Sequence, residues 1–160
     1  MRNYFLDSSA LVKVYSEEDG SNRVRAMLRG LTTVPAITRV VVSVLAHPET
    51  ASALSQIMAS PHAARRGFGA HDRRRLPEVI ARQLGEGSRL EVAPADEYMD
   101  AAAALVWKHR LRGADAVHLA TALEVRKNVS NSAEFYFVSA DALLNRAATA
   151  EGLAVIDPSA

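Results

Sequence analysis

Residues 4–12 read YFLDSSALV, a short apolar run that ends at Asp7 and leads into a segment with the pattern of a helix. Tyr4, Phe5 and Leu6 are typical of a buried strand, and the serines that follow Asp7 can cap a helix. A strand that passes directly into a helix is typical of a parallel α/β sheet. The segment therefore predicts a strand–helix junction that carries a carboxylate at the carboxyl end of the strand.

Strand and helix patterns alternate along the rest of the chain. We predict further strands at residues 38–42, 90–92, 135–139 and 153–156, and helices at 21–29, from about 47, at 96–110 and at 113–127. Between residues 61 and 87, glycines and a proline interrupt a polar stretch, which predicts one or two amphipathic helices that cover the sheet edge. We therefore expect a three-layer α/β/α fold with a central, mostly parallel sheet of four or five strands.

Bulk composition limits the architecture and the location. The 160 residues, about half of them apolar, predict a single domain over residues 1–160. The absence of cysteine excludes a disulfide framework and thiolate chemistry. Asp7 interrupts the first apolar segment, and no apolar run reaches the roughly 18 residues of a membrane span, so we expect a cytoplasmic protein without a membrane partner.

The basic residues are 16 arginines and three lysines, for a formal net charge of +1. Guanidinium groups suit phosphate binding, although genomic base composition explains an arginine excess equally well. Five positive charges are concentrated in one polar stretch, which an RNA-backbone contact would require, although a run of charge is more often a solvated helix face. These residues are Arg65, Arg66, Arg73, Arg74 and Arg75.

Four acidic residues lie far apart in the sequence at positions that this fold would bring together. Asp7 and Asp141 follow predicted strands, whereas Glu49 and Asp115 fall on otherwise apolar faces of predicted helices. Taken singly, the two strand-end aspartates can be helix N-caps, Asp115 can compensate a helix dipole, and Glu49 can be a surface residue. Taken together, the four predict one acidic crevice at the carboxyl ends of the strands.

Crowded carboxylates repel one another, which raises some of their pKa values and destabilises the fold unless a cation neutralises them. The ligands here are oxygens, without a histidine or cysteine cluster, and this favours Mg²⁺ or Mn²⁺ over zinc. Such an ion can activate a water for phosphodiester hydrolysis, and no protein nucleophile is then required.

Four motifs carry a resemblance to a known family. They are residues 5–13 (FLDSSALVK), Glu49 followed by residues 52–54 (SAL), residues 115–123 (DAVHLATAL), and residues 138–141 (VSAD). With this order and spacing the chain resembles PIN-domain nucleases, and among them the VapC-type toxins of toxin–antitoxin pairs. His47 and Pro48 depart from the ordinary helix-forming residues expected before Glu49.

The resemblance implies a Mg²⁺- or Mn²⁺-dependent endoribonuclease that acts on structured RNA such as tRNA or rRNA. It also implies inhibition by a cognate antitoxin protein and a homodimer. The catalytic, metal-binding acids of the family correspond to Asp7, Glu49, Asp115 and Asp141 in this sequence. The small hydroxyl residue of the family near its first acid corresponds to Ser9. We predict that Ser9 and Ser139 orient a ligand or touch the substrate, and helix capping explains Ser9 equally well.

Two further residues leave alternatives open. His118 can be a general base, although a structural hydrogen bond to a neighbouring backbone carbonyl is favoured. Trp107, the single tryptophan, is expected in the core or in a dimer interface rather than as a base-stacking platform.

Three other functions compete with the nuclease. A non-catalytic PIN-fold module would hold RNA or a partner on the same face without cutting. A phosphoryl receiver also builds an acidic pocket, but it expects a lysine at the end of a late strand, and the lysines here are Lys13, Lys108 and Lys127. A haloacid-dehalogenase-type phosphatase expects a second aspartate where Ser9 stands.

Overall fold

A computed structural model describes residues 2–33, 37–69, 72–84, 90–130 and 133–160, without the side chains of residues 31–33, 37–38, 73 and 84. It contains five strands, β1 (Arg2–Leu6), β2 (Ile37–Ser43), β3 (Glu91–Ala93), β4 (Glu134–Val138) and β5 (Ala154–Ile156). The helices are α1 (Ser8–Tyr15), α2 (Ser21–Thr33), α3 (Ala46–Ala59), α4 (Asp72–Leu84), α5 (Met99–His109), α6 (Gly113–Lys127) and α7 (Ala142–Ala150). Short 3-10 turns lie at Ala63–Arg66 and Asp96–Tyr98.

All strands of the sheet are parallel, in the order β3-β2-β1-β4-β5. β1 lies at the centre, and the chain leaves it toward β2 on one side and returns to β4 on the other. Phe5 pairs with Phe137 in register, and their rings stack with centroids 5.8 Å apart. The carboxyl ends of β1 and β4 thus border the crevice where the winding direction changes, the usual ligand site of such a sheet.

Alternate strand residues face two separate apolar clusters, one on each side of the sheet. Phe5, Val41 and Phe137 face α5, α6 and α7, whereas Leu6 and Val42 face α1, α2, α3 and α4. This arrangement confirms the predicted three-layer α/β/α fold with a five-stranded sheet. No helix within the described ranges is long and apolar enough to cross a membrane.

The second helix is longer than predicted. Residues 21–29 were expected to be helical with a stop at Gly30, but α2 continues to Thr33 and Gly30 is buried inside it. A glycine costs an exposed helix about 1 kcal/mol relative to alanine. Packing of α2 against α1 outweighs that penalty here, so the predicted boundary was wrong.

An amphipathic helix, α4, lies in the region between residues 61 and 87, as predicted, although residues 70, 71 and 85–89 lie outside the described residues. Pro77 lies inside α4 instead of interrupting it, and the helix packs against α3. Leu76 and Ile80, four residues apart on one face, are buried in the same apolar cluster as Leu54 and Met58 of α3. This burial offsets the single hydrogen bond that the proline removes.

The predicted helix at 96–110 is divided into a 3-10 turn and α5. α5 ends at His109, and Arg110 caps it in the left-handed conformation with φ of 57°. Gly113–Lys127 is helical as predicted, which places Asp115 in the first turn of α6.

Candidate functional site

The four predicted acids line one cavity of about 360 Å³ at the carboxyl end of the sheet. Asp7 follows β1, Asp141 follows β4, Glu49 lies in the first turn of α3 and Asp115 in the first turn of α6. Four segments remote in sequence therefore converge, and we call this site the acid cavity. It is lined by Asp7, Ser8, Ser9, Val12, Glu49, Ser52, Ala53, Gln56, Arg112, Asp115 and Asp141.

Asp7 is 2% exposed and is the most deeply buried of the four acids. Its Oδ1 accepts hydrogen bonds from the Ala10 N–H (2.9 Å) and the Ser9 hydroxyl (2.8 Å), and its Oδ2 accepts from the Ser139 hydroxyl (3.0 Å). Burial raises the pKa of Asp7, although these hydrogen bonds and the charge of His118 act in the opposite direction. The three donors fix the carboxylate and leave about one of its four lone-pair positions for another ligand.

Ser9 and Ser139 tie the ends of β1 and β4 together. Ser9 Oγ accepts from the Ala140 N–H (2.9 Å), and Ser139 Oγ accepts from the Asp141 N–H (3.0 Å). Asp7 and Asp141 are thereby held by one hydrogen-bond network, because each serine also donates toward Asp7. Both serines contact the Asp7 carboxylate, and their role in orienting a ligand remains a prediction.

The alternative interpretation of the strand-end aspartates as helix caps also holds. Asp7 caps α1, and Asp141 caps α7 by accepting from the Leu143 and Leu144 N–H groups, both at 2.8 Å. Capping uses Oδ1 in each case. Each aspartate therefore combines a structural contact with a position in the wall of the acid cavity.

Glu49 is paired with His118, which is fully buried on α6. His118 Nε2 lies 2.5 Å from Glu49 Oε2, while its Nδ1 has no hydrogen-bond partner among the described residues. A hydrogen bond to the Glu49 carboxylate requires that Nε2 carries a proton and donates it. The pKa of Glu49 is lowered, because hydrogen bonding to His118 outweighs the effect of burial. The backbone partner predicted for His118 was wrong, because its partner is this carboxylate.

Asp115 is half-buried and accepts no hydrogen bond within the part of the chain that the structure describes. Its pKa is raised, first by burial and then by the negative charges of Asp141 and Glu49, while His118 and Arg112 act in the opposite direction. The charged form of Asp115 is therefore disfavoured by burial and, to a lesser extent, by the neighbouring acids.

The acid cavity offers oxygen ligands suited to a hard divalent cation. Over the described ranges, no group of three or more His, Asp or Glu side chains stands ready to hold an ion without rearrangement. Mg²⁺ needs no such closed cage, because it keeps several waters and takes one or two carboxylates. A cation would also offset the burial and the neighbouring negative charges that raise the pKa of Asp115, so the donor set fits such an ion.

Arg65, Arg66, Arg74 and Arg75, which were predicted to contact RNA, do not line the acid cavity. Arg66 pairs with Glu18 at 2.6 Å, whereas Arg65, Arg74 and Arg75 are exposed. The side chain of Arg73 lies outside the described residues. RNA contact through this group remains a prediction, weakened for Arg66 by its ion pair.

Two residues differ from, or add to, what the sequence predicted. Trp107 is 86% exposed, so its placement in the core was wrong, and the dimer interface remains a prediction. Arg112, the N-cap residue of α6, lines the acid cavity and was not predicted. Its position three residues before Asp115, at a helix start, was the available signal.

One known protein family matches most of the chain. The profile of the PIN domain matches residues 4–150, which include all four acids of the cavity. No curated protein matches the chain.

Proposed function

Because this chain belongs to the PIN-domain family, we propose that it is a divalent-metal-dependent endoribonuclease whose active site is the acid cavity. PIN domains are generally metal-dependent nucleases. The observation that carries the proposal is the convergence of Asp7, Glu49, Asp115 and Asp141 on one cavity at the switch point of the sheet. Mg²⁺ or Mn²⁺ is the proposed ion, because hard oxygen ligands favour these metals.

The residues of the site have two proposed roles, as metal ligands and as residues that orient those ligands. We assign Asp7 and Asp115 as the principal ligands, with Glu49 and Asp141 completing the cluster directly or through water. Ser9 and Ser139 hold the Asp7 carboxylate, and His118 holds Glu49, so these residues set ligand orientation.

When bound, a divalent ion supplies positive charge for the phosphoryl group and lowers the pKa of the attacking water. Arg112 places a guanidinium in the same cavity, where it can neutralise a phosphate of the substrate. The described residues that line the cavity include no cysteine, and Ser9 is occupied with Asp7. We therefore propose a metal-activated water, rather than a side chain of the protein, as the nucleophile.

The biological setting that we propose is a toxin–antitoxin pair, with RNA resembling tRNA or rRNA as substrate and a cognate antitoxin as inhibitor. This part rests on the resemblance of the four motifs to VapC-type toxins. Expression of the chain should arrest growth, and co-expression of a small neighbouring protein with a DNA-binding half should relieve the arrest. Growth unaffected by an expressed, active nuclease would argue against the toxin role.

The direct test is RNA cleavage with purified protein. We expect cutting with Mg²⁺ or Mn²⁺, no cutting in excess chelator, and loss of at least about 100-fold in rate for Asp115→Asn. Asp100→Asn, an exposed acid in the first turn of α5, is the matched control and should keep full activity. Cutting that persists in chelator, or in Asp115→Asn, contradicts the proposal.

A non-catalytic PIN-fold module is the second candidate, because no ready-made ion site stands among the described acids. It predicts RNA or partner binding without turnover across divalent metals. The same cleavage assay, with binding measured in parallel, separates the two.

A further inference from the structure

A second cleft lies beside the acid cavity, between the end of α5 and α7. We call it the basic cleft; it has a volume of about 350 Å³, and Lys108, Arg110, Leu143 and Arg146 are among the residues that line it. The two sites have adjoining walls. Arg110 precedes Arg112 of the acid cavity by two residues, and Leu143 follows its Asp141 by two residues.

The positive charge of the basic cleft is only partly compensated. Glu151 pairs with Lys108 at 2.8 Å and contacts His109 Nε2 at 2.5 Å. Arg110 and Arg146 are exposed and make no hydrogen bond or ion pair with any residue that the structure describes. Elsewhere, arginines such as Arg25, Arg39 and Arg66 are paired with glutamates.

The backbone at Arg110 supports a role for its side chain. Arg110 adopts φ of 57°, and it is the one described residue other than glycine with positive φ. This conformation brings the Cβ atom of a side chain too close to the following carbonyl oxygen, and glycine is the usual residue at such a helix end. An arginine that keeps this strained position indicates that its guanidinium is needed there.

We propose that the basic cleft binds the phosphate backbone of the RNA strand whose scissile bond lies in the acid cavity, with Arg110 and Arg146 as the contacts. This inference rests on the proposed function, because it takes RNA as the substrate. Arg112 lines the acid cavity two residues after Arg110 and adds positive charge to that site. Leu143, 39% exposed, offers apolar surface to a sugar or base beside these phosphates.

The competing surface is the one that the sequence suggested, on α4. Arg74 and Arg75 are also exposed and unpaired among the described residues. They lie on a helix that packs against α3, and neither lines the acid cavity. The basic cleft is lined by Arg110 and Leu143, each two residues from a residue of the acid cavity, so a strand bound in one site can reach the other.

The test compares two double variants of equal charge. Arg110→Gln with Arg146→Gln removes the basic cleft charges, and Arg74→Gln with Arg75→Gln is the matched control. Binding of a fluorescent single-stranded RNA is measured by anisotropy in chelator, over a range of salt concentrations, so that cutting does not consume the probe. The slope of log affinity against log salt becomes smaller by about 0.7 for each phosphate of a single strand that the protein no longer neutralises.

We expect the cleft variant to bind RNA on the order of tenfold more weakly, with a salt slope smaller by about 1.4, while the control changes little. Arg110→Gly relieves the strained backbone, so weaker binding with an equal or higher melting temperature excludes misfolding as the cause.

Equal affinity of the wild type and the cleft variant overturns the inference, as does an equal reduction in the control or the absence of RNA binding by the wild type. A changed oligomeric state with unchanged RNA binding also overturns it and assigns the cleft to a protein contact. The wild type could bind RNA without cutting it in the presence of any metal. If the cleft variant then binds RNA more weakly, the result supports RNA binding by the basic cleft and refutes only the nuclease activity.

Discussion

Asp7 and Asp115 are both carboxylates of the acid cavity, but their surroundings differ. Asp7 is stabilised by one backbone N–H and two serine hydroxyls. Asp115 has no such donors among the described residues and faces two other acids. Its charge is therefore a net cost in the absence of a cation, which makes it the most informative residue to neutralise.

In chelator, Asp115→Asn should leave the melting temperature unchanged or raise it. The substitution removes a negative charge that burial and the neighbouring acids disfavour, and the expected gain in unfolding free energy is at most about 1 kcal/mol. Mg²⁺ should raise the melting temperature of the wild type, because a ligand of the native state stabilises it, and should raise that of the variant much less. Differential scanning fluorimetry with Asp100→Asn as control measures both. A variant that melts several degrees lower in chelator would mean that Asp115 is structural.

His118 acts on the site through Glu49, which makes it a positioning residue. His118→Leu keeps an apolar volume in the core but removes the 2.5 Å contact to Glu49. We expect Mg²⁺ or Mn²⁺ affinity to fall about tenfold or more, as for other residues that orient a metal ligand. Calorimetric titration with Mn²⁺ measures this affinity directly. An unchanged affinity in a folded variant would refute the positioning role of His118.

At the scale of elements, an ion cluster joins α1, the loop between α1 and α2, and the 3-10 turn at Ala63–Arg66. Lys13 of α1 is 5% exposed and donates to the Asp19 carbonyl at 2.9 Å. Glu18 lies 3.4 Å from Lys13 and 2.6 Å from Arg66. A buried ammonium depends on such a partner, because an unpaired charge in the interior is costly.

Glu18→Gln should lower the free energy of unfolding by about 2 kcal/mol at neutral pH, because Lys13 loses its counter-charge. Glu17→Gln is the neighbouring control; Glu17 is exposed and pairs with Arg25, so the decrease should stay below about 1 kcal/mol. Denaturant unfolding followed by circular dichroism measures both. Equal decreases would argue against a special role for the buried lysine.

The difference in unfolding free energy between the wild type and Glu18→Gln should decrease as the pH is lowered. Burial alone raises the pKa of Glu18, but hydrogen bonds from Ser16 and Arg66 and the charge of Lys13 hold it below its ordinary value of 4.5. The stabilisation is therefore complete above pH 4.5 and is lost as the pH falls through the lowered pKa. The gap between wild type and Glu18→Gln should close on acidification, and a gap that widens would contradict this assignment.

The elements and the acids differ in how far the sequence predicted them. β1 and β4 are continuous apolar runs, and α6 carries a strong motif, so their positions were predictable. The end of α2 and the path of α4 were not, because packing against neighbouring helices overrides Gly30 and Pro77. The pairing of His118 with Glu49 joins residues 69 positions apart. A local sequence pattern cannot indicate a contact between residues so far apart.

At the scale of the whole molecule, α5 leaves an apolar stripe exposed. Met99, Ala103 and Trp107 are spaced four residues apart on one face, and all three are exposed. Exposed apolar stripes of this kind mark protein interfaces. We therefore place the proposed homodimer contact on α5.

Trp107→Asp should weaken the dimer by about 2 kcal/mol or more, since tryptophan is a frequent interface hot spot. Trp107 is the single tryptophan, so its emission should move to shorter wavelength as protein concentration rises. Sedimentation velocity of wild type and variant checks the assignment. Emission that is independent of concentration but quenched by RNA would instead favour base stacking.

The central strand of the sheet has one consequence for synthesis. β1 must pair with β4, whose residues follow 132 positions later in the chain, and such distant pairing slows folding. Asp7 therefore emerges from the ribosome long before Asp141 can join it. A nascent chain that has not reached Asp141 cannot assemble the acid cavity, so the proposed activity can begin only after most of the chain has been synthesised.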